Sequence, residues 1–384
     1  MNLIKKVSEK FDILGEFKES KAIGDGHVND TLLVETVSGG EVKKYVLQRI
    51  NTNAFKNPDV LMKNIVSVLE YLKAQVISRG GDAERENLSV VYTREGKSFL
   101  KDDDGNVWRM MNYIAGSKSY TTPTRLEQIY ESAYAFGKFQ RELNGFPAEK
   151  LCETIADFHN TPKRLEALVK AAESDKHLRL DGVRAEYEFA KAREGFTHTL
   201  EDMKKSGILP VRVTHNDTKL NNVLFDVNTD KPVCVVDLDT VMPGLSVNDF
   251  GDAVRSTASG ADEDERDLTK VKFNMDIYEH LVRGFLDGTD GSLTDAEIQA
   301  LPTGAIMMTL ECGIRFLSDY LSGDVYFKTS RPNQNLDRAR TQFELVRQME
   351  EKIDEMRKIV NKYSQKGDSY DKNLLFGDQK RSGS

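Results

Sequence analysis

Val213-Thr-His215-Asn216-Asp217-Thr-Lys-Leu-Asn-Asn222-Val-Leu-Phe225 is the stretch whose pattern decides the fold. Val211-Arg-Val213 leads into a polar loop, and Asn222-Val-Leu-Phe225 leaves it with the apolar character of a strand. Asn228-Thr-Asp-Lys-Pro232 reads as a turn. Through it the chain reverses and returns as Val233-Cys-Val-Val236, so Asp237 is predicted to emerge beside the point where Asn222 began.

The spacing His215-x-Asp217-x-x-x-x-Asn222 is that of a kinase catalytic loop, in which the Asp accepts the proton of the acceptor hydroxyl and the Asn holds magnesium. Magnesium binds through one or two protein oxygens plus substrate phosphates, a set that Asn222 and Asp237 supply from adjacent strand ends. Singly, His215, Asn216 and Asp217 suit an ordinary turn. Strand, loop, hairpin and terminal carboxylate together point to phosphoryl transfer. Asp239, two residues beyond Asp237 on an extended backbone, competes for the metal role. The string Asp249-Phe250-Gly251 resembles a kinase metal-binding triplet but follows a Pro243-Gly244 turn, so Asn248 or Asp249 is expected to cap a helix running towards Ala258.

Around this centre, 384 residues suffice for two lobes with cores of their own. A composition 39% hydrophobic and 30% charged describes a soluble globular chain. With no long apolar run and no secretory signal at Met-Asn-Leu-Ile-Lys-Lys, a cytoplasmic protein without membrane partners is expected. The net charge of −8 argues against nucleic acid as a partner. Cys152, Cys234 and Cys312 lack metal or disulfide spacing and are expected as reduced thiols. Asp102-Asp-Asp104 and Asp262-Glu-Asp-Glu265 read as solvated runs.

Strand patterns at 17–23, 31–36, 44–50, 88–92 and 108–114 predict a small antiparallel sheet, interrupted by one helix over 58–77. Helical periodicity follows at 124–143, 182–205, 264–286, 295–321 and 335–363. The predicted fold class is α+β, a sheet-rich N-terminal lobe (1–111), a hinge (112–118), a mainly helical lobe (119–364) and a poorly ordered tail (365–384). Ile23-Gly24-Asp25-Gly26-His27 lies between two strands and suits a loop whose amides approach phosphates, although such glycines also serve hairpin turns alone. Arg109-Met-Met111-Asn-Tyr113-Ile-Ala-Gly116 passes between the lobes, where a kinase backbone meets adenine. The nucleotide site is therefore expected at Gly24, Asp25, Gly26, Gln48, Met111 and Tyr113.

These motifs resemble the aminoglycoside phosphotransferase and choline kinase-like superfamily, over residues 20–360. More narrowly, Gly24-Asp-Gly-His27, Arg212-Val-Thr-His-Asn-Asp-Thr-Lys-Leu-Asn-Asn222, Asp237-Leu-Asp-Thr-Val-Met-Pro-Gly244 and Glu311-Cys-Gly-Ile-Arg315-Phe-Leu-Ser-Asp-Tyr320 resemble the N-acetylhexosamine 1-kinases. The resemblance implies a two-lobed protein kinase fold, ATP as donor, magnesium as cofactor and an amido sugar as partner. It implies Asp217 as the catalytic residue and Asn222 and Asp237 as metal ligands. His27, Arg315 and Tyr326 then line the sugar site, with Asn216 supplying further donors and acceptors. Arg315 also suits a plain helical ion pair with Asp319, and Tyr326 a packed aromatic. A monomer is expected.

One departure stands out. Gln48, in Tyr45-Val-Leu-Gln48-Arg49, occupies the place of the kinase strand lysine. Arg49, another cation or magnesium must then neutralise the phosphates. Rival expectations are a related kinase of homoserine, choline or another sugar, and a nucleotide-binding pseudoenzyme motivated by Gln48. A metal hydrolase leaves Asn222 unexplained.

Overall fold

The computed structural model describes residues 3–23 and 28–364. Gly24, Asp25, Gly26 and His27, and the expected tail at 365–384, lie outside the described residues.

Alternation of apolar and polar residues builds an antiparallel sheet from β1 (Glu16–Ala22), β2 (Asp30–Ser38), β3 (Glu41–Ile50), β4 (Val90–Val91), β5 (Leu100–Lys101) and β6 (Val107–Asn112). Their order is β1-β2-β3-β6-β4, with β5 also on β6. Successive side chains face opposite sides. Val34, Leu47, Trp108 and Met110 therefore pack outward under Val7, which belongs to α1 (Leu3–Ser8), and under Phe11 and Ile13. Ile50, Val107 and Met111 face the other way, beneath α2 (Pro58–Ser78). Asn57 caps α2 through Val60 N–H, and Pro58 opens it at a position where a missing N–H costs nothing. This second face carries the lobe interface, because Val213, Leu238 and Val241 join the same cluster. Buried Asn64 of α2 spans it, donating to the carbonyls of Cys152 (2.7 Å) and Val241 (3.1 Å). After the short α3 (Ala83–Glu86), Arg85 donates to the Ala115 carbonyl and pairs with Asp226.

Beyond β7 (Ser117–Lys118) the chain is mainly helical: α4 (Leu126–Glu142), α5 (Thr161–Ser174), α6 (Arg184–Lys191), α7 (Glu194–Thr197) and α8 (Thr199–Lys205). There follow β8 (Arg212–Thr214), β9 (Val223–Asp226), β10 (Pro232–Val235) and β11 (Met242–Gly244). The chain ends in α9 (Ser246–Thr257), α10 (Met275–Thr289), α11 (Asp295–Leu321), α12 (Gln334–Glu351) and α13 (Ile353–Ser364). The fold is the expected α+β one. No helix among the described residues is long and apolar enough to cross a membrane.

Several helical segments depart from the periodicity. The run at 182–205 is broken at Arg193, whose guanidinium takes the Phe189 carbonyl (2.8 Å) and Glu350 instead of leaving the helix backbone undisturbed. The run from 264 becomes helical only at Met275, behind the Asn274 cap. Upstream of that cap Gln348 clamps the backbone at Val271 and Phe273. Helix α5, opened by the Asn160 cap, was not visible in the periodicity at all.

Glycine lets α9 and α11 touch backbone to backbone. A methyl on Gly251 would stand 2.3 Å from the Gly304 carbonyl oxygen, and one on Gly304 2.4 Å from that of Val247. Gly304→Ala is expected to lower unfolding stability by about 1–3 kcal/mol, as overpacking does, which urea denaturation measures. An unchanged midpoint would show that the helices separate freely.

Candidate active site

Three residues of the central motif meet as the hairpin predicts. In the β9–β10 pair Val223 stands opposite Val235. Val236 N–H donates to the Asn222 carbonyl (2.9 Å), leaving Asp237 one residue beyond. Asp237 adopts a left-handed backbone at φ 61°, which Asp tolerates better than most residues. The Asn222 side-chain amide donates to the backbone carbonyl (2.9 Å) and to Oδ2 (3.0 Å) of Asp217. Its own carbonyl oxygen thus points elsewhere and stays available. Lys219 Nζ lies 3.0 Å from Asp217 Oδ1.

His215 braces the loop. Buried and edge-on to Phe136 and Phe139, it contacts the Val236 carbonyl through Nε2 (2.9 Å) and accepts Asp217 N–H at Nδ1 (3.3 Å). A carbonyl on one ring nitrogen and an amide donor on the other assign the proton to Nε2. Helix α9 holds the loop from below. Asp249 accepts the backbone N–H of His215 (2.9 Å) and Asn216 (2.7 Å), and Asp252 accepts that of Thr218 (2.8 Å). Asp249 is therefore no cap of its own helix, which starts at Ser246 without a side-chain cap. It caps the catalytic-loop segment, its reach to a distant backbone having been invisible in the string Asp249-Phe250-Gly251. Burial opposes the charge of Asp252, but the Arg255 guanidinium beside it outweighs this and holds the carboxyl below its usual range.

Asn216 needs correction. Expected at the sugar, its side chain is buried and committed to the loop, donating to the Thr240 (2.8 Å) and Thr214 (3.3 Å) carbonyls and accepting from Thr214 Oγ1 (2.9 Å). Both of its N–H donors are thereby spent within the loop.

Asp237 and Asp239 have parted company. Asp239 is buried and paired with Arg109, and also accepts from Asn29 Nδ2 (2.6 Å). Asp237 makes no such pair among the described residues: desolvation by the surrounding protein, then the Asp239 and Asp217 carboxylates, push its carboxyl up to about 6 against the opposing pull of Arg109 and His215. An exposed carboxylate crowded by two others fits a divalent cation, and with the free Asn222 oxygen the donors are the hard oxygens magnesium takes. Among the described residues no group of three His, Cys, Asp or Glu forms a ready metal cage, so substrate phosphates would have to complete the coordination.

On the sheet, Gln48 donates to Thr31 Oγ1 (3.2 Å) and accepts from Arg109 Nε (2.9 Å). Arg49 points outward to Asp30 (Nε 2.7 Å), which removes it as a substitute for the strand lysine. Met111 is buried in the interface cluster, so a base can meet only its backbone. Tyr113 follows the strand, with Lys44 Nζ 5.7 Å from its ring centre.

Beyond the loop lies a cationic, aromatic patch. Arg315 of α11 makes no ion pair with Asp319 among the described residues. That carboxylate instead accepts the backbone N–H of Val325, Tyr326 and Phe327 and the Asn335 amide. The Arg315 guanidinium lies over the rings of Phe158 (5.2 Å), Phe327 (5.5 Å) and Tyr326 (6.0 Å). Tyr326 is not packed away: it is 60% exposed. Arg164 lies close enough that burial, and then the like charge of Arg315, lower its pKa. His159 contacts Glu311 through Nδ1 (2.8 Å), while its buried Nε2 has no partner among the described residues.

The residues missed in the sequence are Arg109, Lys219, Asp249, Asp252 and His159. Only Lys219, two positions after Asp217, carried a local signal.

The model of the phosphotransferase enzyme family matches residues 19–279. Among solved structures, an aminoglycoside phosphotransferase from Alicyclobacillus acidocaldarius aligns with a TM-score of 0.62 at 14% identity, covering 94% of this chain and 97% of the other. A spectinomycin phosphotransferase bound to ADP and spectinomycin aligns at 0.55 and 15% identity over 88% and 94%. Choline kinase from Cryptosporidium parvum aligns at 0.54 and 14% identity over 90% and 92%. At such identities the likeness concerns the fold.

Proposed function

The chain belongs to the phosphotransferase enzyme family, and from that premise we propose that it transfers the γ-phosphoryl group of ATP to the anomeric hydroxyl of N-acetylglucosamine or N-acetylgalactosamine, giving the sugar 1-phosphate. Asp217 accepts the hydroxyl proton as the oxygen attacks phosphorus. The Asn222 amide fixes that carboxylate through Oδ2, and Lys219 balances its charge at Oδ1. Asn222, through its free carbonyl oxygen, and Asp237 would hold magnesium, which when bound would neutralise charge on the phosphates. The phosphates are assigned to Gly24, Asp25 and Gly26, and the adenine to the backbone of Met111 and Tyr113.

The observation that carries the acceptor assignment is the Arg315 patch. Choline, ethanolamine and aminoglycosides are cations, which need carboxylates or a vacant aromatic cage. Here a guanidinium already lies over the three rings, with Arg164 beside it. Such a surface repels a cation and offers N–H donors to a neutral amido sugar, whose carbonyl and hydroxyl oxygens accept them. Arg315, Tyr326 and His27 are the sugar-binding residues in this account. Steady-state rates of ADP release across both acceptor classes test it: selectivity of at least about a hundredfold for the amido sugars is expected, and turnover of choline alone would refute it. Arg315→Ala is expected to raise the sugar KM about tenfold or more, the scale of one charge-assisted contact. Unchanged KM and kcat would remove Arg315 from the site.

A further inference from the structure

The sheet places an uncharged residue where phosphoryl transfer calls for a cation, and places a cation directly beside it. Gln48 stands opposite Thr31 on β2 and opposite Arg109 on β6. Thr31, Gln48 and Arg109 thus form one ladder across three strands, on the face whose neighbours Ile50, Val107 and Met111 pack against Val213, Leu238 and Val241. Arg109 is one of the largest fully buried side chains in the protein. Its Nε donates to Gln48 and its Nη1 pairs with Asp239, and among the described residues Nη2 has no hydrogen-bond acceptor. Asp239 also receives Asn29, just past the glycine loop, and Asp237 lies two residues away within the field of Arg109. A phosphate chain whose metal is held at Asp237 therefore lies within the field of this guanidinium.

A buried ion pair adds little net stability over apolar side chains of the same size, so packing alone gives no reason for Arg109. A guanidinium keeps spare, fixed donors suited to phosphate oxygens after two of its groups are engaged.

We propose that Arg109 is the cation of the nucleotide-phosphate site, supplying from β6 the charge that β3 lacks, with Gln48 and Asp239 as the positioning residues that aim it. This rests on the phosphoryl-transfer reading but not on the identity of the acceptor.

The test compares ATP with adenosine, which lacks phosphates, by calorimetric titration in the presence of magnesium. Arg109→Met combined with Asp239→Asn removes both charges without stranding a buried carboxylate. Affinity for ATP should fall about tenfold or more while that for adenosine changes less than about twofold. Adding Gln48→Lys to that background returns a cation to the same face and should recover most of the lost ATP affinity. Parallel losses for both ligands, or none for ATP, would make Arg109 a tie between lobes and overturn the proposal. Should the double variant fail to fold, Gln48→Leu decides, since it leaves the Arg109–Asp239 pair in place. An ATP-selective loss of several-fold supports the assignment, and an unchanged ATP-to-adenosine ratio overturns it. Wild-type protein that binds both ligands equally would defeat the phosphotransferase reading itself. An ATP-selective loss in a protein that phosphorylates no amido sugar would defeat only the acceptor assignment.

Discussion

Asp217→Asn lowers kcat by roughly 10²–10⁴-fold, the usual contribution of a positioned general base, while the KM for ATP and the thermal midpoint stay close to wild type. The side chain is 27% exposed, so an isosteric amide costs the fold little. The amide retains one oxygen for the Asn222 donor, held now at 3.0 Å, but has no basicity with which to take a proton. Lys219 loses its partner at a site open to water, where an unpaired ammonium is well solvated. Product formation under saturating ATP, alongside a thermal melt, checks this. Activity within tenfold of wild type would show that the proton leaves by another route.

Asp237→Asn separates function from stability. Activity should fall by at least about a hundredfold, because the metal loses its charged ligand. The metal-free protein, however, should become more stable at neutral pH. Desolvation by the surrounding protein and two neighbouring carboxylates raise the folded-state pKa of Asp237 to about 6, from 3.8 for the free side chain. The folded protein therefore holds this proton more tightly than the unfolded chain. The resulting stabilisation is complete below about pH 4 and is lost as pH rises through 6, where an ionised carboxylate is left among Asp239 and Asp217. The amide carries no such charge, and Asn accepts the left-handed backbone at φ 61°. Because Asp237 is exposed to solvent, which screens the repulsion, the variant in magnesium-free buffer should exceed wild type by no more than about 1 kcal/mol at pH 7.5 and lose that margin near pH 4. Adding magnesium with nucleotide should stabilise the wild type and not the variant. A variant less stable than wild type at pH 7.5 would mean that Asp237 contributes a structural contact.

The difference between what was legible in the sequence and what was not follows from how far each interaction reaches along the chain. The catalytic loop and hairpin were readable because Asp217, Asn222 and Asp237 lie within one strand-turn-strand unit, and period and turn chemistry fix their relation. Asp249 was misassigned as a helix cap because an Asp near a helix start suits that role locally. Its actual partners, the His215 and Asn216 amides, are more than thirty residues away in sequence and become neighbours only when α9 packs under the loop. Arg109 was visible only as the start of the crossing strand. Its value depends on the β3–β6 register that sets it opposite Gln48 and on the docking that brings Asp239 to its tip. Asn216 looked like a ligand because its amide offers both a donor and an acceptor to an amido sugar, yet its two N–H groups are spent on the Thr214 and Thr240 carbonyls. The Arg315 patch was anticipated only through resemblance. Its physical basis appeared when Asp319 proved to be occupied by three backbone amides, which leaves Arg315 to the aromatic rings.

The activity we propose for this fold is phosphorylation of a neutral amido sugar at its anomeric oxygen. Phosphorus NMR of the protein with ATP and magnesium, in separate tubes with N-acetylglucosamine, N-acetylgalactosamine, choline and homoserine, tests it most directly. The account predicts an anomeric phosphate signal with one or both amido sugars, growing as ADP appears and absent with Asp217→Asn. A phosphomonoester signal with choline or homoserine only, or ATP that remains intact in every tube, would contradict it.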